Sequence, residues 1–365
     1  MGGRGATRYF GREAPTRFRR AAPPYIGWMS RRAKAQRNLI GEWFSAVESS
    51  GECCTIRLGR LLGGANQPQW FFLPHQEYDG LGALAHVQRH IMGREFVLPR
   101  SSEPNPGCIA RWIAAWRCVV RRYPVLMKWQ DEDLLWRKRV RVPALPVASA
   151  WIALSEAETL RVRTHARKRG ISVNAWLLSG LSHAALKRLV PDSGVVEWVV
   201  PLNLRGLVSS QADTANTAAT VDVSFMPGAT PEQVHAALSR EIQRRAHFGA
   251  WELLHLFRYF ERSTLQAAAR RELRIPKHGC FSNLGALAPP LNTHISDIEW
   301  WMAFNPVLES RPVGAACLTW QNRLTLTLQL HAVLSQNPDE ACAWLNEWTS
   351  RALEAAAREP ARSVP

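Results

Sequence analysis

A histidine, an aspartate and a glycine at fixed spacing are the residues of this sequence best suited to chemistry. His75 follows the apolar run 70–73, and Asp79 and Gly80 come four and five residues later. A histidine at the end of a buried strand has a rigid backbone while its ring can face a solvent channel, which suits a general base. Asp79 is only four residues from His75, and the tight turn between them argues against assigning its carboxylate as the group that orients the ring. We expect it instead to pair with an arginine that holds the loop. Gly80 permits a close turn into the next element.

The surrounding pattern predicts a strand before this segment and a helix after it. Residues 53–62 and 69–73 are apolar runs separated by turn residues at 63–66, which is typical of two connected strands. From Leu81 onwards apolar residues recur at helical spacing. His75 is therefore expected at a strand-to-helix junction.

Further along the chain, strand and helix patterns alternate irregularly. Ser155 and Glu158 have the spacing of a capping box and predict a helix over 156–169. Residues 140–150 contain two prolines and are a candidate linker between two halves. Other strands are predicted at 151–154, 197–204, 218–225, 280–284, 298–303, 313–319 and 324–331, and other helices at 109–123, 172–189, 231–248, 251–272 and 338–357. The irregular order predicts an α/β or α+β fold with mixed sheets, and no glycine-rich dinucleotide or P-loop motif is present.

Composition and charge define a globular chain with a basic start. Hydrophobic residues make up 46% of the 365 residues, which excludes a disordered chain. The net charge is +16, and ten basic residues against Glu13 alone fall within residues 1–40. We therefore predict a flexible basic arm over 1–37 that could contact an anionic surface, namely lipid, nucleic acid or an acidic carrier protein. A solvated tail is the alternative, and no specific nucleic-acid binding is predicted.

The cysteines and the hydropathy pattern indicate the cellular location of the protein. The seven cysteines are an odd number without C-x-x-C spacing, which argues against a disulfide framework and against a zinc site, so no metal is predicted. Buried thiols of a reducing compartment are the simpler interpretation, also for Cys280. No apolar stretch of about 18 residues occurs. These features predict a cytoplasmic protein, soluble or peripheral to the membrane.

Three segments resemble, in order, the chloramphenicol acetyltransferase-like superfamily, which includes the condensation domains of nonribosomal peptide synthetases and the wax ester synthase or alcohol acyltransferase group. The segments are residues 71–82, 199–206 and 281–285. The resemblance covers roughly residues 45–355 and implies two lobes with mixed sheets and a central channel. The implied divisions are the arm at 1–37, a shortened N-terminal lobe at 38–145, a C-terminal lobe at 146–357 and a tail at 358–365.

The resemblance also implies a role for each site residue. His75 matches the general base of an acyltransferase, which takes a proton from a hydroxyl or amine that attacks an acyl thioester on coenzyme A or on a carrier protein. Ser282 matches the hydroxyl that stabilises the tetrahedral oxyanion. Asp79 matches a structural carboxylate that forms an ion pair with an arginine of the other lobe, for which we choose Arg205. Gly80, Asn203 and Asn283 belong to the same motifs and are expected to be structural at the site. No bound cofactor is implied, because the acyl thioester is a substrate.

Two departures from the family pattern are present; the first concerns a histidine that is not assigned to catalysis, and the second supports an alternative function. Pro74 stands where most members have a first histidine, and His75 lies closer to the start of the chain than in condensation domains. Part of the first lobe is therefore missing or replaced by the basic arm. The alternative function is a catalytically inactive condensation-like protein that binds a carrier protein or lipid.

Overall fold

The computed structural model describes residues 37–63, 65–120, 127–129, 148–187, 189–191, 194–288 and 298–357. Residues 1–36 of the predicted arm, the predicted boundary between residues 145 and 146, and the predicted tail all lie outside this part of the chain. Arg37, the last residue of the predicted arm, lies against the folded body: its guanidinium pairs with Glu42 and donates to the carbonyl of Phe257 (2.9 Å).

The elements follow one another along the chain in an irregular order, as the sequence pattern predicts. They are α1 (Leu39–Glu48), β1 (Thr55–Leu62), β2 (Gln69–Pro74), α2 (Gly80–His86), a π-helical turn (Val87–Ile91), α3 (Cys108–Val120), β3 (Met127–Trp129), β4 (Ala148–Ala153), α4 (Glu156–Lys168), α5 (Val173–Ala185), β5 (Leu189–Pro191), β6 (Val196–Asn203), β7 (Ala218–Phe225), α6 (Pro231–Gln243), α7 (Ala246–Leu256), a 3-10 turn (Phe257–Tyr259), α8 (Arg262–Glu272), β8 (Gly279–Leu287), β9 (Glu299–Phe304), β10 (Val313–Trp320), β11 (Arg323–Leu330) and α9 (Pro338–Ala357).

A mixed six-stranded sheet forms the larger layer. Its strand order is β4-β11-β10-β8-β6-β7, in which β8 runs parallel to β10 and β6 while the other neighbours are antiparallel. Helices α4, α5, α6 and α9 supply apolar residues to a core on one face of this sheet, where Phe281 packs edge-on against Trp348. The mixed α/β class expected from the sequence is therefore observed.

The alternation of residues along β11 shows that the opposite face of this sheet is also covered. The leucines of β11 belong to the helix-side core, whereas Thr327 and Gln329 are buried on the other face. The amide of Gln329 donates to the carbonyl of Asn305, which directly follows β9 (2.7 Å). The polar residues of β11 thus bind the backbone of a second layer.

The second layer is a three-stranded sheet of order β2-β1-β9. Strand β9 comes from the region assigned by sequence to the C-terminal lobe, but it pairs antiparallel with β1, from Arg57 opposite Phe304 to Leu62 opposite Glu299. Leu58 and Leu84 share an apolar cluster with Trp320 of the large sheet. The first part of the chain therefore completes its sheet and its core with residues from the last third of the sequence.

Local sequence signals match the observed helix ends and turns in some places and differ in others. The capping box is present: the Ser155 hydroxyl accepts from the amide of Glu158, and the Glu158 carboxylate accepts from the amide of Ser155. The single helix predicted over 251–272 is instead α7, a 3-10 turn and α8. The boundary of the helix predicted over 231–248 also differs, because Arg245 adopts a left-handed conformation (φ 57°) that ends α6 and starts α7.

Candidate active site

The junction between β2 and α2 positions His75 and Asp79. Strand β2 ends at Pro74, and the amide of His75 donates to the carbonyl of Cys54 (3.0 Å), which fixes the backbone beside the sheet. Asp79 is the N-cap of α2, where its carboxylate accepts a hydrogen bond from the amide of Gly82 (2.7 Å). Such a cap satisfies an otherwise unpaired amide of the first helical turn.

The ring of His75 has two different nitrogen environments. Nδ1 lies 2.8 Å from the carbonyl oxygen of Tyr78. Because a carbonyl can only accept, this contact places the proton of the neutral ring on Nδ1 and leaves the lone pair on Nε2. Within the described residues Nε2 makes no hydrogen bond, and Phe44 of α1 packs against the ring with 4.4 Å between centroids.

Burial of the ring sets the protonation state of His75. Loss of solvent lowers the pKa of His75 below its ordinary value of 6.5 and outweighs the hydrogen bond to Tyr78 and the charge of Asp79, which act in the opposite direction. The imidazole is therefore neutral at neutral pH, which is the state that can accept a proton.

Asn216 is a site residue that the sequence reasoning did not identify. Its side-chain amide donates to the carbonyl of His75 (2.9 Å) and lies 3.3 Å from Nδ1, while its backbone amide donates to the carbonyl of Glu77 (3.0 Å). Asn216 thus ties the junction to the loop between β6 and β7. That loop has no apolar periodicity in the sequence, so no local signal marked the residue.

The structure brings Asp79 and Arg205 together as a buried ion pair. Nη2 of Arg205 donates to both carboxylate oxygens, at 2.9 and 3.1 Å, and both residues are only 5% exposed. The amide of Thr217 donates to the same carboxylate (2.9 Å). Asp79 is therefore engaged by a helix amide, a loop amide and a guanidinium at this junction.

Arg205 holds the loop that carries Asn216. Its guanidinium donates to the carbonyls of Asp213 (2.6 Å) and Ala215 (2.9 Å). Asn203 accepts from the backbone amide of Arg205 (3.0 Å) through its side-chain oxygen and donates to the carbonyl of Pro99 (2.9 Å). Asn203 thereby connects this loop to the segment that precedes α3.

Ser282 and Asn283 lie on opposite faces of β8. Asn283 shares its face with Phe281 and the helices: it donates to the side chain of Asn174 and accepts from the amide of Gly285 (2.8 Å). Alternation along the strand places Ser282 on the other face, where Leu284 belongs to the apolar cluster of the second layer. The Leu284 side chain would lie 3.4 Å from a Cβ at Gly80, so Ser282 is two positions along β8 from a residue that lies against the start of α2. The Ser282 hydroxyl makes no hydrogen bond within the described residues.

Comparison with solved structures identifies the fold. The trichothecene 15-O-acetyltransferase of Fusarium sporotrichioides superposes with a TM-score of 0.52 at 12% identity, covering 88% of this chain and 76% of that one. The chain has the chloramphenicol acetyltransferase-like fold. Also similar are the cyclization-docking bidomain EpoB of Sorangium cellulosum (TM-score 0.49, 12% identity, 81% and 61% covered) and polyketide synthase associated protein 5 of Mycobacterium tuberculosis (0.46, 13%, 81% and 77%). No family model matches the sequence, and no curated protein matches it.

At the junction between β2 and α2, Gly82 is the glycine with the least space for a side chain. A Cβ at Gly82 would lie 2.0 Å from the carbonyl oxygen of Thr214, whereas a Cβ at Gly80 would meet only Leu284 at ordinary van der Waals distance. Gly80 also has no positive φ. The closest backbone contact of this junction is therefore at Gly82, where the helix start meets the loop held by Arg205.

The Cys280 thiol and several possible metal ligands also lie among the described residues. Burial raises the pKa of Cys280 to about 11, so its thiol is protonated at neutral pH and is a poor nucleophile. In the part of the chain that the structure describes, no cluster of three His, Cys, Asp or Glu side chains could hold a metal ion. No helix of that part is both long and apolar enough to cross a bilayer.

Proposed function

We propose that this protein is an acyltransferase that moves an acyl group from a coenzyme A or carrier-protein thioester to a hydroxyl or amine, with His75 as the general base. The observation that carries the proposal is the geometry of the His75 ring. Nδ1 donates to the Tyr78 carbonyl, and this leaves Nε2 free within the described residues to take a proton. The lowered pKa keeps the ring neutral at working pH.

The proposed reaction has two stages and needs no redox partner. Nε2 of His75 takes the proton of the acceptor hydroxyl or amine as that atom forms a bond to the thioester carbonyl carbon. The carbonyl π electrons move to oxygen, and Ser282 stabilises the resulting oxyanion by donating a hydrogen bond. When the carbonyl re-forms, the carbon–sulfur bond breaks, and the proton on His75 passes to the departing thiolate. The products are a free thiol and an ester or amide.

The surroundings of His75 support a positioning role for the remaining site residues. In this proposal Asp79 and Arg205 hold the junction, and Asn216 fixes the His75 backbone through its carbonyl. Substrates would reach the base through a central channel between two lobes, as the resemblance implies. The acyl donor would be a substrate, and no resident cofactor is required.

Thiol release from acyl thioesters tests the proposal directly. The purified full chain is mixed with acyl-coenzyme A donors of several chain lengths and a set of alcohol and amine acceptors, and free thiol is followed with a chromogenic reagent. We expect His75→Ala to lower the acceptor-dependent rate about 10²- to 10⁴-fold. His90→Ala is the matched control, because His90 is an exposed histidine of the same region, and it should retain wild-type rates.

A second function, non-catalytic binding of a carrier protein or lipid, is favoured by the contact between Phe44 and His75. The Phe44 ring covers one face of the imidazole. If this contact closes the site, wild type and His75→Ala will release thiol at the same background rate while retaining the same melting temperature. Binding of an acylated carrier protein by the inactive chain would then support the second function.

A further inference from the structure

Helix α3 presents an unusual outer face. It is thirteen residues long, about 20 Å, and contains no acidic residue. Its large apolar residues recur at a spacing that places them on one stripe, and all are exposed, with Ile109 at 77% and Trp116 at 69%. The residues of this stripe are Ile109, Trp112, Ile113, Trp116, Val119 and Val120. Contiguous exposed apolar surface of this kind marks an interaction site.

The opposite face of α3 is fixed tightly to α7, so the stripe has a defined direction. Ala114 and Ala115 are buried, and a Cβ at Gly249 of α7 would lie 2.5 Å from the carbonyl oxygen of Ala114. Arg111 forms an ion pair with Glu252 (3.1 Å). Small residues allow this close approach of the two helices, and the ion pair fixes the start of α3. The outward orientation of the apolar stripe is therefore set by packing.

Positive charge lies beside the stripe. An open cavity of about 540 Å³ at the C-terminal half of α3 is lined by Trp116, Val120 and Arg117, and by Arg244 in an ion pair with Glu241 (3.1 Å). Arg117 is exposed, and so is Arg245, which follows Arg244 in the turn between α6 and α7. The surface therefore combines apolar and tryptophan side chains with a cationic border.

We propose that the α3 stripe docks on an anionic lipid surface. Exposed tryptophan and aliphatic side chains on one face of a helix, with arginines at its border, match the requirements of a helix that lies in a membrane interface. Tryptophan suits the headgroup level because its ring is apolar and its N–H can still bind water or phosphate. The arginines would bind the anionic headgroups. This site is separate from His75 and does not depend on the proposed acyl transfer.

Charge disfavours two other occupants of the stripe, a second copy of the chain and residues 1–36. In a two-fold dimer through this face, Arg117 and Arg245 of both copies would meet at one interface and repel each other. Residues 1–36 contain nine basic residues and one glutamate, so they would also be repelled by these arginines. An anionic partner is therefore the complementary one.

Vesicle sedimentation with the full chain tests the proposal. The probes are vesicles of phosphatidylcholine alone and of phosphatidylcholine mixed with phosphatidylglycerol. Wild type should sediment with the mixed vesicles. Trp112→Ser combined with Trp116→Ser should weaken that binding at least about tenfold, and Arg117→Gln should weaken it about fivefold. Leu160→Ser is the matched control, because Leu160 is an exposed leucine of α4, and it should bind like wild type.

The result for the tryptophan variant decides between the occupants. Equal vesicle binding by wild type and this variant, both with wild-type melting temperature, would overturn the proposal and assign the binding to basic segments alone. Concentration-dependent dimerisation that the tryptophan substitutions abolish would overturn it in favour of a second copy. Absence of vesicle binding by wild type would also overturn it.

Discussion

The two ring nitrogens of His75 differ in their contacts, and the proposed function assigns proton transfer to Nε2. Nδ1 is committed to the Tyr78 carbonyl, and the backbone on either side is held by Cys54 and Asn216. These contacts fix the tautomer without a partner carboxylate. Asp79 is engaged elsewhere, so the orientation of the imidazole depends on main-chain carbonyls and on one asparagine.

The lowered pKa of His75 predicts the pH dependence of thiol release. Protonation removes the lone pair of Nε2, so kcat/KM should fall in acidic buffer, approaching tenfold per pH unit, with its inflection below pH 6.5. Initial rates from neutral to acidic pH, with substrate well below KM, measure the profile. An inflection above pH 6.5 would contradict the assignment of His75 as a base that desolvation keeps neutral.

The buried pair of Asp79 and Arg205 predicts a large stability effect. Asp79→Asn leaves the Arg205 guanidinium without its counter-charge in a buried site, and we expect a loss of about 3–5 kcal/mol in the free energy of unfolding. Denaturant unfolding followed by circular dichroism measures it. Arg205→Lys should also destabilise the protein, because a lysine cannot contact Asp79 and the carbonyls of Asp213 and Ala215 together.

An exposed ion pair supplies the control for that measurement. Arg351 and Glu347 are paired across one turn of α9 at the surface, and Arg351→Ala should cost no more than about 0.5 kcal/mol. An Asp79→Asn variant that unfolds like wild type but has lost thiol release would instead place Asp79 in the chemistry.

At the scale of elements, the start of α2 and the loop before β7 form one unit. Gly82 touches the backbone at Thr214, Asp79 accepts from Thr217, and Tyr78 forms an isolated bridge with Ala215. The helix start therefore cannot shift without moving the loop that carries Asn216. The contact is backbone to backbone, so side-chain rearrangement cannot relieve a clash there.

This contact predicts opposite outcomes for two neighbouring glycines. Gly82→Ala should destabilise the protein by about 1–3 kcal/mol, because its methyl group would overlap the Thr214 carbonyl. Gly80→Ala is the control and should be close to neutral, because its methyl group would only contact Leu284 and alanine favours the helix. Melting temperatures of both variants measure the difference. Equal melting temperatures would show that the loop can move away from α2.

Sequence reasoning predicts local elements well here and long-range pairing poorly. The capping box at Ser155, for example, depends only on residues close to it in the chain, and the sequence predicts it correctly. Strand β9 is also apparent as an apolar run, but its pairing with β1 leaves no local mark. The sequence did not identify Asn216 for the same reason, because its partners lie about 140 residues away along the chain.

For the whole molecule, buried histidines predict sensitivity to acid. Burial lowers the pKa of His278 to about 4, whereas the same group in the unfolded chain titrates near 6.5. Between these two values the unfolded chain binds the extra proton, so the free energy of unfolding should fall as pH falls, by about 3 kcal/mol in total from this residue. Denaturant unfolding at several pH values measures the slope.

A non-titrating variant separates His278 from other groups. His278→Gln should unfold with a shallower dependence on pH between about pH 6.5 and about pH 4, whatever its absolute stability. An unchanged slope would assign the acid sensitivity to other residues.

The pairing of β1 with β9 has a consequence for folding during synthesis on the ribosome. Synthesis of β1 is complete at residue 62, whereas synthesis of its partner is complete only at residue 304. At ordinary synthesis rates of about 5–20 residues per second, one edge of β1 waits roughly 12 to 48 s for its neighbour. A hairpin of β1 and β2 that formed during that interval would have an unpaired edge, which other chains could join. Only when β9 in the last third of the chain has been synthesised can it pair with this edge and protect the first sheet from aggregation.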